Sequence, residues 1–384
     1  MGRGQPSVYA RQGVGAGVWV KTRVLVVDDS AFMRQSVSRV LAGQPDFEIV
    51  GVAADGIEGV ALVRRLKPDI VTMDVEMPHM DGLQALAIIM RDMPVPVVML
   101  SSLTAAGAPA TIRALELGAI DFIPKPAPPA VGVSHAAVQM VRVMRAAAQV
   151  RVQALRTEAV EAAAAGSRPA PEPLYAKPRR TAVDAPADRV LAIGCSTGGP
   201  KALAELVPHL PANLPAAVLI VQHMPAGFTR SLAERLDRLS PLAVKEAEHG
   251  DVAAAGQVLI APGGKHLAVN PRGVVELNEA PAEHGVRPAV NVLFRSLPGC
   301  FGSRVVAAVL TGMGSDGAEG ASLIRAAGGR VVTEDASTTV VYGMPRAVAE
   351  CGAAERQLPL GEVAACVTDL VLTLSRAAAA RRAS

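Results

Sequence analysis

The sequence is poor in aromatic rings: Phe, Tyr and Trp make up 3% of its 384 residues. Proteins that stack on bases need such rings, and no long Lys/Arg block takes their place. The formal net charge of +3 is small. We therefore expect no nucleic-acid partner. No uncharged apolar run approaches the ~18 residues that a membrane helix requires. The opening stretch, MGRGQPSVYARQGVGAGVWVK, has no compact apolar segment with a small-residue cleavage site and no myristoylation pattern. The expectation is a cytoplasmic chain with no direct membrane insertion. Cysteine is also scarce. Cys195, Cys300, Cys351 and Cys366 show no CxxC spacing, which leaves free thiols in place of a disulfide set or a zinc site.

Half of the residues are hydrophobic, and the length suits two domains at a prior of about 150 residues each. Between Arg145 and Ala187 an Ala-rich, helix-favouring stretch gives way to prolines and scattered charge. Such composition cannot bury a core and reads as a linker. We expect an extension over 1–21, a domain over 22–144, the linker over 145–187, a second domain over 188–374 and a tail over 375–384. In the first domain RVLVV, EIVGVAA, DIVTMD, VPVVMLS and DFIPK are strand candidates. In the second, RVLAIG, AAVLIVQ, QVLIAP, RVVAAVLTG and GRVVTE repeat the theme. Runs that are apolar on both faces and alternate with helical stretches predict α/β folds with mainly parallel sheets. Ligands of such sheets bind beyond the carboxyl ends of the strands.

Asp28 and Asp29 follow the first strand of domain one, and Asp74 ends the third. A single aspartate at a strand end is ordinarily a turn former. Three together repel one another unless a cation lies among them, and oxygen-rich clusters of this kind suit Mg²⁺. Ser101 and Lys125 end the next two strands and complete a phosphoryl-binding set. VLVVDDS, MDVEMPHMDG, SS and KP, in this order, resemble the receiver domain of bacterial two-component response regulators. The resemblance implies a flavodoxin-like doubly wound sheet. It also implies that Asp74 accepts phosphate, that Asp28, Asp29, Asp74 and the backbone carbonyl of Glu76 hold Mg²⁺, and that Ser101 and Lys125 sense the phosphate. Pro78 and Gly82 look structural.

In the second domain VLAIGCSTGGP carries Ser196 in a G-x-S-x-G pattern, a sharp strand-to-helix turn that exposes a nucleophile. The same glycines could cradle a phosphate, but a phosphate loop wants Lys directly after the last Gly, and Pro200 stands there. The amides of Thr197, Gly198 and Gly199 lie near a helix N-terminus and could face an oxyanion. A nucleophilic serine needs a base and a group to orient it. His223 ends the next strand, and Asp316 follows a later one. His266 also follows a strand and is the second candidate base, or lines the site. Cys195, one residue before the apex, reads as a small side chain packed under the turn.

GCSTGGP, QHMP followed by GFT, IAPGGKH, RPAVNVLFRS and LTGMGSDGA together resemble the catalytic domain of chemotaxis protein-glutamate methylesterases. Asn291 stands where members often have Asp, and Cys195 where Ala is common. The resemblance implies Ser196 as nucleophile, His223 as general base and acid, and Asp316 as the orienting carboxylate. Thr197, Gly198, His266 and Met313 would lie around the oxyanion and substrate. It implies a phosphorylation-activated esterase that demethylates, and also deamidates, chemoreceptors, with a chemotaxis histidine kinase as phosphodonor and no cofactor for the esterase reaction. Three rivals are a response regulator with a DNA-binding output, a phosphate-binding module and a silent scaffold. The first needs a compact helical second half with a basic recognition helix, where strands and Gly-rich turns stand instead. The second rests on GCSTGGP alone, and the apparent triad argues against the third.

Overall fold

The computed structural model describes residues 21–101, 107–125, 135–150 and 186–383. The chain divides into two compact units, Met1–Ser167 and Arg168–Ser384. The extension expected over 1–21 lies, but for Lys21, outside the described residues, as does most of the linker expected over 145–187. Among the described residues no helix is long and apolar enough to cross a membrane.

The first unit is one parallel sheet of five strands: β1 (Thr22–Val27), β2 (Phe47–Ala53), β3 (Ile70–Asp74), β4 (Val97–Ser101) and β5 (Asp121–Pro124). Their order is β2-β1-β3-β4-β5. Val24 to Val27 and Val97 to Leu100 are fully buried, so both faces need a cover of helices. These are α1 (Ala31–Ala42), α2 (Gly56–Leu66), α3 (Gly82–Asp92), α4 (Gly107–Glu116) and α5 (His135–Ala147). Helices α2, α3 and α4 pack in sequence, and α1 meets α5. Short polar residues start the helices. Asp55 accepts the amide of Glu58 at 2.9 Å, and Asp81 forms a capping box with Gln84. The strand order reverses between β1 and β3, which opens a crevice at their carboxyl ends.

The second unit holds a seven-stranded parallel sheet ordered β14-β13-β12-β6-β7-β9-β8. The strands are β6 (Val190–Cys195), β7 (Ala217–Gln222), β8 (Ala243–Glu246), β9 (Gln257–Ile260), β12 (Val305–Val309), β13 (Arg330–Glu334) and β14 (Arg356–Leu358). β10 (His266–Val269) and β11 (Val275–Asn278) form an antiparallel hairpin. The helices are α6 (Gly199–Leu206), α7 (Phe228–Leu239), α8 (Val290–Phe301), α9 (Ala318–Ala326), α10 (Met344–Glu350) and α11 (Leu360–Ala383). Phe294, Leu297 and Phe301 of α8 share one buried core with Leu267, Val275, Val305 and Val309. β6 has β7 on one side and β12 on the other, so the chain order reverses here too, at the strand that ends next to Ser196.

Gly82 shows how closely the first crevice is built. A Cβ there would lie 1.8 Å from the carbonyl oxygen of Asp74. Because the obstacle is backbone, it cannot rotate aside. Gly82→Ala is expected to destabilise the first unit by about 1–3 kcal/mol, the usual cost of overpacking. Thermal denaturation of the full chain checks this, and an unchanged transition would contradict it.

Candidate functional site

At the first crevice β1 delivers Asp28, which is fully buried, and the exposed Asp29. β3 delivers Asp74, which is also buried. Arg34 on α1 donates to the carbonyls of Asp28 (2.7 Å) and Asp29 (2.9 Å) and fixes the turn. Lys125 Nζ lies 2.6 Å from Asp74 Oδ2 and 3.1 Å from Asp28 Oδ2. Burial pushes Asp74 up to about 6, and the charge of Asp28 adds to this while Lys125 partly offsets it. Burial also raises Asp28. Burial pulls Lys125 down, but its bonds to Asp74 and Asp28 outweigh that and leave it raised. Ser101 is buried, with its hydroxyl 2.7 Å from Thr111 Oγ1. Asp29, Asp74, Glu76, Ser101, Gly107 and Lys125 line one pocket.

Asp28, Asp29 and Asp74 each offer a carboxylate oxygen, all within 4.8 Å of one another. Asp28 Oδ2 is buried, and among the described residues its partner is the Lys125 ammonium, 3.1 Å away. A hard divalent cation fits this donor set, because it would neutralise acids that one lysine does not balance.

In the second unit β6 ends at Cys195, and the turn that follows is held by backbone bonds. Ser196 N–H donates to Thr311 O at 3.0 Å, and Gly199 N–H donates to Ser196 O at 2.8 Å. The Gly199 amide is thus committed within the turn instead of facing an oxyanion. Gly198 adopts φ +81°, where a side chain would be strained, and Pro200 opens α6 where no amide is needed. Ser196 is 8% exposed and Thr197 4%. Cys195 is fully buried, and burial drives its thiol upward, which withholds the thiolate a cysteine nucleophile needs.

Cys195 pairs with Gln222 across β6 and β7, so the next residues, Ser196 and His223, leave adjacent strands at the same level. His223 Nε2 lies 2.8 Å from Asp316 Oδ2. An ionised carboxylate only accepts, so Nε2 carries the proton and Nδ1 is left with its lone pair. Nδ1 is buried and has no hydrogen-bond partner among the described residues. No hydrogen bond joins it to Ser196 Oγ; such bonds commonly tighten only when substrate binds.

Asp316 sits at the N-terminus of α8. Its Oδ2 also accepts the amide of Val290 (2.6 Å), and its Oδ1 accepts that of Asn291 (2.9 Å). Burial alone would raise its carboxyl. The His223 bond and the two amides outweigh burial and hold it below the ordinary value. Glu283 and His284 offer further donor atoms within 4.8 Å of Asp316, but Glu283 is paired with Arg295 and the oxygens of Asp316 already accept three N–H groups.

His266 is fully buried. Its Nδ1 accepts Ala289 N–H at 3.1 Å, and its Nε2 lies 3.1 Å from Pro281 O, so both ring nitrogens are taken by backbone. Met313 is half-buried in the loop after β12. Asn291 Oδ1 accepts the amides of Gly317 (3.0 Å) and Gly320 (2.9 Å) and so ties the start of α8 to that of α9.

Sequence reasoning missed two supports. Gln222 Nε2 donates to Ser196 O (2.9 Å) and lies 3.3 Å from His223 O, bracketing both residues. Thr311 accepts from Ser196 N–H, and its hydroxyl donates to Thr197 O (2.9 Å). The signal available was a polar residue ending, or closely following, a buried apolar strand. A hydroxyl on a tight turn, an imidazole with one nitrogen open and a carboxylate on the other nitrogen are the parts of a general-base nucleophilic site.

Comparison with known proteins agrees with both halves. Residues 191–367 match the CheB methylesterase family, and residues 24–137 match the response regulator receiver domain. A protein-glutamate methylesterase/protein-glutamine glutaminase from Symbiobacterium thermophilum is 50% identical over 91% of this chain and 97% of its own length. Its counterpart in Pyrococcus abyssi is 43% identical over 89% of this chain and 92% of its own. The crystal structure of the Thermotoga maritima CheB methylesterase catalytic domain is 44% identical, covers 48% of this chain and 98% of that one, and has a TM-score of 0.47. The chain belongs to the protein-glutamate methylesterase/protein-glutamine glutaminase family of hydrolases, with a response-regulator receiver domain ahead of a CheB methylesterase domain.

Proposed function

We propose that this hydrolase removes methyl groups from glutamate methyl esters on chemoreceptors, with Ser196 as nucleophile, His223 as base and acid, and Asp316 as the group that orients the base. The observation that carries this reading is the His223 ring, with Nε2 held by Asp316 and Nδ1 buried beside the Ser196 strand with no partner among the described residues. As Ser196 Oγ attacks the ester carbonyl, its proton passes to His223 Nδ1. The negative charge on the carbonyl oxygen is met by amides of the turn, those of Thr197 and Gly198. The C–OCH₃ bond then breaks, and His223 returns the proton to methanol. Water, deprotonated in turn by His223, attacks the acyl-serine and releases a glutamate. A receptor glutamine follows the same course with ammonia leaving. Met313 and His266 would shape the surroundings, His266 by holding backbone.

The receiver half would control this chemistry. Asp74 is the phosphate acceptor, Lys125 pairs with the phosphate charge, and Ser101 gives it a hydroxyl. Asp28, Asp29 and Asp74, with the Glu76 carbonyl, would hold Mg²⁺, which supplies positive charge against phosphoryl oxygens. A chemotaxis histidine kinase is the implied phosphodonor. Residues 145–187 would link the two halves.

Two measurements test these assignments. Ser196→Ala should lower methanol release from methylated receptor membranes by about three orders of magnitude or more while the unfolding transition stays in place; retained activity would remove Ser196 as nucleophile. Methanol release by the unaltered chain should rise when a small phosphodonor and Mg²⁺ are added. Asp74→Asn should keep the basal rate and lose that rise. A rise that survives Asp74→Asn would place control elsewhere.

A further inference from the structure

Two strands along the sheet from Ser196, at the carboxyl end of β13, Glu334 is 1% exposed. Its Oε2 accepts the amide of Thr311 at 2.8 Å, and its Oε1 accepts the Thr338 hydroxyl at 3.0 Å. Among the described residues no cation pairs with it. The titratable groups that face it are Glu205 from α6, Asp335 next in the chain and Cys195 from β6, and none brings positive charge. The loop after β12 presents Thr311, and at the start of α11 the amide of Leu360 donates to Thr338 Oγ1 at 3.0 Å.

Thr311 connects this acid to the nucleophile turn. Its carbonyl accepts Ser196 N–H, and its hydroxyl donates to Thr197 O. The same hydroxyl accepts Val341 N–H at 3.0 Å and so ties in the segment before α10. Resting on the reading of Ser196 as nucleophile, we propose that Glu334 is a positioning residue for the ester-hydrolysis reaction. It holds Thr311, and with it the Ser196–Thr197 turn, in its uncharged form. Its ionised form slows the reaction by setting an uncompensated negative charge behind the place where the oxyanion develops.

The geometry survives either protonation state. Thr338 can donate to an ionised Oε1, or rotate and accept from a protonated one. Charge is therefore what changes. Burial pushes Glu334 up to about 7, and the charges of Glu205 and Asp335 add to this against its two hydrogen bonds. The ionised carboxylate is felt at Cys195, whose thiol it helps to raise, and Cys195 immediately precedes Ser196. In a water-poor interior such a charge acts on a neighbouring anion far more strongly than it would in solvent.

The test is methanol release by the full chain, followed as kcat/KM from the acid to the alkaline side of neutrality. The unaltered chain should lose rate on the alkaline side relative to Glu334→Gln by about three- to tenfold, because the amide keeps the acceptor for Thr311 and never ionises. Thr338→Val removes a donor to the ionised form and should move the loss to higher pH. Superimposable profiles for Glu334→Gln and the unaltered chain overturn the proposal. So does a Glu334→Gln chain that is slow at every pH with an unchanged Tm. A second arm needs no turnover. The folded carboxyl lies above its ordinary value of 4.5, so the folded chain binds the extra proton, and its stability falls as pH rises from there to about 7. Glu334→Gln lacks this loss, so its Tm advantage should widen through that window and then stay constant. No widening overturns the proposal even if Ser196 is the nucleophile. If Ser196→Ala keeps its activity, the catalytic reading fails while the widening remains.

Discussion

The catalytic half depends on how one buried negative charge is satisfied. Asp316 is 2% exposed, and a carboxylate in that position would take up a proton unless donors replaced the water it has lost. Two amides at the start of α8 and the Nε2 proton of His223 do so. The same bonds settle which nitrogen of His223 carries the proton, and so leave the other with its lone pair. Moving α8 would therefore disturb the charge and the tautomer together. Much of the surrounding detail holds α8 in place. His266 takes the amide just before the helix, Asn291 ties it to α9, and Phe294 and Phe301 anchor its apolar face.

The receiver half solves the opposite problem. Three carboxylates meet at one crevice with a single lysine, and the balance is left incomplete. Asp28 and Asp74 are raised, while Asp316 is lowered, although all three are buried. Burial is the largest influence in each case. The difference comes from what else reaches the oxygens: like charges in the first unit, amide donors and an imidazole in the second. An incomplete balance would suit the phosphoryl group and cation proposed for that crevice, and the complete one keeps Asp316 ionised.

Much of this was legible in the sequence. Every main-sheet strand long enough to be buried on both faces announced itself as an apolar run, and the residues that end or follow those runs stand at the crevices. The short strands β8, β10, β11 and β14 gave no such signal, because three or four residues with polar neighbours look like loop. Gln222 and Thr311 were overlooked for a related reason. Each acts by bonding the backbone of the turn that follows another strand, and sequence spacing carries no trace of that. The commitment of the Gly199 amide to Ser196 was equally out of reach.

Sequence alone determined the fold class and the residue types at the strand ends, because runs that are apolar on both faces and alternate with helices call for a sheet covered on both sides, and its chemistry emerges at the rim. Tertiary structure decided which nitrogen of His223 is open, why Asp316 stays ionised, that His266 is spent on backbone, and that an acid two strands away bears on the Ser196 turn. Those facts follow from distances between elements remote in the chain, and in a medium of low polarity a difference of a few ångströms sets whether a charge is satisfied, shared or left alone.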